Sequence, residues 1–215
     1  MVPPTAPIPP PASITSIAPT GIAAMDWEAL EQAVVECTAC SLHRTRTQGV
    51  FGVGNRAAEW LIVGEAPGED EDRQGEPFVG RAGQLLNLML TGIGLRREEV
   101  YIANILKSRP PGNRTPLPAE TAACRPYLER QIELVGPRII LAAGTVAAQN
   151  LLATTTSIGL LRGRVYRYGA RRIPLVATYH PSYLLRSPHE KRKAWDDLRL
   201  AWRVFHRVPP DGQDL

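Results

Sequence analysis

Between Gly64 and Gly80 the chain reads GEAPGEDEDRQGEPFVG and carries six carboxylates: Glu65, Glu69, Asp70, Glu71, Asp72 and Glu76. Carboxylates gathered at one place can orient a water molecule and stabilise a cationic centre, as they do when a glycosidic bond is cleaved. Three other residues carry usable chemistry. Phe78 offers a flat aromatic face, Asn104 a planar amide that both donates and accepts, and His180 an imidazole whose following proline holds its backbone extended. Each has an ordinary reading when taken alone: Asn104 as a turn or cap residue, His180 as the end of a strand, Phe78 as core, and the acidic stretch as a solvated turn. Cys37 and Cys40 form C-x-x-C while Cys124 stands apart, a pattern open to metal binding, redox chemistry or neither.

The elements that must position these residues can be read from short apolar runs. WLIV (60–63), VYIANI (100–105), RIILAAG (138–144) and IPLVATYH (173–180) look like buried strands. Helical stretches alternate with them: from Asp26, a candidate helix N-cap, through 82–91, 119–135, 145–153 and 189–205, with Pro126 disturbing or restarting the third. Continuously apolar strands separated by helices indicate parallel strands covered on both faces. The expected fold is therefore α/β, a three-layer α/β/α sandwich around a central four-stranded parallel sheet. Ligands of such sheets bind at the carboxyl ends of the strands. Gly64 and Glu65, Asn104, Gly144 and His180 each follow one strand run, so these distant positions should meet on one rim.

The chain of 215 residues suits one domain, placed here at 22–208. Residues 1–21 contain seven prolines and no charged side chain, which predicts a disordered tail, and 209–215 form a short C-terminal tail. Mean hydropathy is −0.16 and no run is long enough to span a bilayer, so neither a membrane partner nor a secretion signal is expected, and a cytoplasmic monomer is. A net charge of +4 is mild, but arginine concentrates in the C-terminal half: Arg162, Arg164, Arg167, Arg171, Arg172 and the stretch 186–199. That distribution suits a solvated surface or a nucleic-acid face. Three cysteines exclude a disulfide framework. No P-loop or G-x-G-x-x-G is present, which excludes a nucleotide cofactor bound by these motifs.

An aromatic face, an amide and an imidazole around one polar cleft suit a flat heterocycle. A rigid asparagine matches the N3–H and O4 of uracil, whereas cytosine presents the opposite pattern and leaves both groups unpaired, a mismatch that discriminates by roughly 10⁴-fold or more. The motifs GEAPGEDEDRQGEPFVGRAGQLL, YIANILKSRPPGNRTP and HPSYLLRSP, with CTACSL and ACRPYL, occur in this order. On them the chain, from about Asp26 to Trp202, resembles the family 4 uracil-DNA glycosylases, the iron–sulfur type. The resemblance implies a monofunctional glycosylase that hydrolyses the bond to flipped-out uracil in single- or double-stranded DNA and leaves an abasic site. The alternative is a DNA-binding member with weak or lost catalysis and a defective metal site.

The roles that the resemblance implies fall on individual residues. Glu65, Glu71 and His180 would be catalytic, and Gly64, Glu65, Ala66, Phe78, Asn104 and His180 would bind uracil. Leu184, Leu185 and Arg186 would wedge into the vacated stack; the plain reading of the leucine pair is a loop docked on the core. Arg162, Arg164 and residues 191–193 would add phosphate contacts, while Asp70 and Asp72 would be solvated. Cys37, Cys40 and Cys124 would hold three corners of a [4Fe–4S] cluster. Ser108 occupies the fourth ligand position, and its hydroxyl is a harder donor with a far higher pKa than a thiol. A cluster with Ser108 or solvent as the odd ligand, a zinc ion and an empty site all remain open on the sequence.

Overall fold

A computed structural model describes residues 21–207. The tails expected at 1–21, apart from Gly21, and at 209–215 lie outside the described residues. In chain order the helices are α1 (Trp27–Val35), α2 (Glu69–Gln74), α3 (Arg81–Gly92), α4 (Pro118–Val135), α5 (Thr145–Leu152), α6 (Ile158–Leu161), α7 (Pro181–Arg186) and α8 (Lys191–Arg207). The strands are β1 (Val53–Gly54), β2 (Trp60–Gly64), β3 (Tyr101–Asn104), β4 (Ile139–Ala143), β5 (Val165–Tyr168) and β6 (Ile173–Thr178).

All residues of β2, β3, β4 and β6 are buried, because helices cover both faces of the sheet they form. The strand order is β1-β3-β2-β4-β6-β5. The four central strands are parallel, as the apolar runs predicted. The sheet differs from the expected four strands by two short antiparallel edges, β1 on β3 and β5 on β6. Neither edge has a continuous apolar run: β5 (VYRY) alternates exposed and half-buried residues, as an edge strand facing solvent should. Alternate residues of each central strand feed opposite cores. Leu61, Val63, Ala103, Ile140 and Leu175 pack against α4, α5 and α6, and Ile62, Ile102, Leu141 and Val176 against α3 and α8.

After β2 the chain adds β3 on one side and later β4 on the other, so the order reverses at β2. Gly64, at the end of β2, thus sits at the crevice where sheets of this kind bind ligands. Asp26 caps α1 by accepting the Ala29 N–H at 2.9 Å. α4 runs through Pro126 without a break, against the expectation. Cys124, Tyr127 and Leu128 are buried beside it, and Ala122, whose carbonyl loses its donor, is exposed to water. Among the described residues no helix is long and apolar enough to cross a membrane.

Candidate active site

One cavity of about 760 Å³ opens at the carboxyl ends of the parallel strands, and Glu65, Ala66, Glu71, Phe78, Asn104 and His180 all line it. Backbone hydrogen bonds continue the β2–β3 ladder past the strands, Ile105 N to Gly64 O and Leu106 N to Glu65 O, both at 3.0 Å. Gly64 is required here because a Cβ would lie 2.3 Å from Asn104 Oδ1 and 2.6 Å from the Phe78 ring. The absent side chain is what lets the amide and the aromatic ring share the space.

Asn104 ends β3, is only 3% exposed, and its Oδ1 has no hydrogen-bond partner. A buried acceptor left unmet costs about 1–3 kcal/mol, so its persistence at a cavity wall marks a place for a donor from outside the chain. Its backbone is fixed from below. Lys107 Nζ donates to Asn104 O at 2.9 Å and to Gln131 Oε1 at 2.6 Å, and Gln131 in turn donates to Phe51 O and the Tyr101 hydroxyl. Burial holds the Lys107 ammonium down to about 7.

Phe78 is 5% exposed and adopts φ of +56°, a left-handed conformation unfavourable for a bulky residue. Two clamps hold it. Arg97 Nη1 donates to Phe78 O at 3.1 Å and Nη2 donates to Pro77 O. Glu71, from α2, accepts the backbone N–H groups of Val79 and Gly80 at 3.1 Å on one oxygen and that of Gly68 at 3.1 Å on the other. Glu71 therefore binds the acidic stretch into a fixed shape. Much of that stretch is a helix where the sequence suggested a turn. Asp72 is buried, not solvated, and accepts the Thr47 N–H through both oxygens. Asp70 pairs with Arg73 near the surface. Glu65 is half-buried, and burial alone pushes its carboxyl above the usual range.

His180 stands at the start of α7, its ring 5.4 Å from that of Phe78 at an interplanar angle of 28°. Gly144 makes the approach possible, since a Cβ there would lie 2.9 Å from that of His180. Ser182 N donates to His180 Nδ1 at 3.2 Å, and the Ser182 hydroxyl lies 2.8 Å from the same atom. A backbone N–H can only donate, so Nδ1 is the acceptor and the neutral ring carries its proton on Nε2. Burial, with a smaller effect from the Arg186 charge, lowers the imidazole to about 4. At neutral pH the ring is an uncharged donor.

The expected wedge is only partly presented. Residues 181–186 are helical, and Leu184 is 1% exposed, packed inward by the turn of α7, so it is not available to enter a base stack. Leu185 is half-buried and Arg186 is exposed at the cavity mouth. Arg162 is likewise committed elsewhere: it pairs with the fully buried Asp197 at 3.0 Å and donates to Lys193 O. Arg164 is exposed. Sequence reading missed Arg97, Lys107, Gln131 and Ser182; Lys107 and Ser182 lay in quoted motifs within three residues of their targets, while Arg97 and Gln131 lay far from theirs.

Away from the cavity, Cys40 packs against buried Leu42, Leu106 and Cys124, and the Tyr127 hydroxyl donates to Cys37 Sγ at 3.3 Å. Burial pushes the Cys124 thiol up to about 11 and raises that of Cys40. Ser108 is 4% exposed and its Oγ accepts a hydrogen bond from Arg46 Nη1 at 2.8 Å. Among the described residues no three of His, Cys, Asp and Glu gather as a metal-holding group. A four-thiolate cluster does not fit this donor set, in which the fourth donor is an alcohol already bound by a guanidinium.

The molecule is thus an α/β protein whose parallel sheet presents an aromatic ring, an amide and an imidazole to one cavity at the carboxyl ends of its strands. The profile of the Uracil DNA glycosylase superfamily matches residues 51–199, and the chain belongs to that superfamily. It is 47% identical over 184 residues to the Type-4 uracil-DNA glycosylase of Archaeoglobus fulgidus, covering 82% of this chain and 92% of that one. The Type-4 enzyme of Thermotoga maritima is 47% identical over 178 residues (81% and 92% covered), and that of Pyrobaculum aerophilum 41% over 182 residues (82% and 93%).

Proposed function

We propose that this protein is a DNA repair glycosylase that hydrolyses the N-glycosidic bond of uracil in DNA, releasing the free base and leaving an abasic site. The observation that carries the reading is the unpartnered Oδ1 of Asn104 in the wall of a cavity shared with Phe78 and His180. An acceptor beside the amide's own donor matches uracil N3–H and O4.

The target base lies inside a duplex and must be extruded to reach the cavity. Phe78 stacks on the extruded ring, and Asn104 accepts from N3–H and donates to O4. The C1′–N1 bond then breaks with its electron pair passing to N1. Negative charge spreads to O2, where the Nε2–H of neutral His180 donates and stabilises the leaving anion. The sugar is left with oxocarbenium character, which the carboxylates beside it stabilise. Water adds to C1′ and its proton passes to Glu65, whose raised pKa makes it a competent base. Glu71 contributes through the backbone it holds. Leu185 and Arg186 are the groups we assign to the vacated stack and the flanking phosphate, and Arg164 adds a contact without sequence information.

The test is incubation with a fluorescent uracil-containing oligonucleotide, followed by alkali, alongside detection of released uracil. Strand scission at uracil, absent with the matched cytosine or thymine strand, is the expected result. DNA binding without scission at any salt concentration would overturn the assignment.

A further inference from the structure

We propose that in this chain a guanidinium, not a metal ion, ties the Cys37–Cys40 loop to the segment that follows Asn104. Arg46 lies between the two. Its Nη1 donates to Ser108 Oγ at 2.8 Å, and its Nη2 donates to Val35 O at 2.6 Å and Cys37 O at 3.1 Å. One planar cation thus joins the end of α1, the first cysteine of C-x-x-C and a buried hydroxyl. The fork of donors on arginine suits this task, since it can serve several acceptors at fixed angles.

The rest of the loop is held by bonds of the same kind. Thr47 N–H donates to both oxygens of buried Asp72, at 3.0 and 2.9 Å, fastening the loop to α2. Val50 N–H donates to Lys107 O at 2.8 Å, and Lys107 itself holds the Asn104 carbonyl. Hydrogen bonds between protein groups therefore attach the segment from Cys37 to Val50 both to α2 and to the stretch that follows Asn104.

Ser108 is central to the inference. A hydroxyl ligates iron well only as an alkoxide, and its pKa is far above that of a thiol. As a neutral acceptor for Arg46 it needs no proton loss. Two of the three thiols accept hydrogen bonds within the chain, Cys37 from the Tyr127 hydroxyl and Cys124 from the Lys107 N–H at 3.5 Å. The fold and the cavity should stand without iron, independently of what the cavity binds.

Two measurements on the full chain decide the matter. Iron and acid-labile sulfide are determined on protein purified without oxygen, and thermal melting is recorded before and after oxidant and chelator. Substoichiometric iron and an unmoved melting temperature are expected. Arg46→Met should lower the melting temperature by about 5–10 °C through loss of charged hydrogen bonds. Arg46→Lys, which keeps one or two of those bonds, should recover part of the loss and covers the case in which the methionine variant does not fold. Stoichiometric iron and sulfide whose removal lowers the melting temperature would overturn the proposal, as would an Arg46→Met protein that melts like the parent. Uracil excision is followed in parallel and reports on the cavity separately.

Discussion

In the proposed reading, Asn104 has to choose between pyrimidines that differ at two adjacent atoms. Asn104→Asp replaces the amide donor by a second acceptor, which faces O4 of uracil unfavourably and the amino group of cytosine favourably. We expect uracil excision to fall by at least 10²-fold and its preference over cytosine to shrink by several orders of magnitude; paired rates on uracil and cytosine strands provide the check. Arg97 lies outside the cavity lining and acts on Phe78 from behind. Because it clamps the Pro77 and Phe78 carbonyls around a strained φ, Arg97→Met should loosen the ring that receives the base. The expected effect is a fall of about 10-fold or more in kcat/KM, with lysine restoring part of it and the affinity for abasic DNA unchanged. A mutant that lost only melting temperature would place Arg97 among purely structural residues.

At the scale of elements, α7 separates two neighbouring leucines by function. The helical turn sends Leu184 into the core and leaves Leu185 half-buried, next in the chain to Arg186, which lines the cavity. Leu184→Ala should cost about 2–5 kcal/mol of stability, read by denaturant melts. Leu185→Ala should leave stability nearly unchanged and reduce excision from duplex DNA several-fold more than from single strands, because only the duplex has a stack to refill. The sequence offered the residues after His180 as a loop, and their short helix was hidden because six residues show too little periodicity to expose one face. α2 was hidden for another reason. Its residues are nearly all charged, so no apolar stripe announces it, and its order comes from Glu71 and Asp72 reaching backbone N–H groups distant in the chain. The long elements were legible because each buries a full face.

For the molecule as a whole, the four apolar runs and the helices between them were enough to infer a parallel sheet and the meeting of Gly64, Asn104 and His180 on one rim. The antiparallel edges, the continuity of α4 through Pro126 and the Arg46 and Arg97 clamps were not, since each is decided by contacts between residues far apart in sequence. Such contacts also set how the fold responds to acid. His180 titrates near 4 in the folded chain against about 6.5 in an unfolded one, so the unfolded state binds the extra proton first. Its contribution to stability is complete above about pH 6.5 and is lost as pH falls through 4. Melting temperature should drop by a few degrees over that window, and His180→Gln should flatten the drop. An unchanged slope in the variant would mean that other groups govern the acid limb.

The bare acceptor on Asn104 has a kinetic corollary. Any ring that brings an N–H to that oxygen relieves a deficit built into the vacant cavity, and the liberated base is such a ring. Free uracil should therefore linger after the bond is cut and inhibit competitively against substrate, while cytosine, which lacks a proton at N3, should not. On this account the enzyme's selectivity is bound to slow its own release of product.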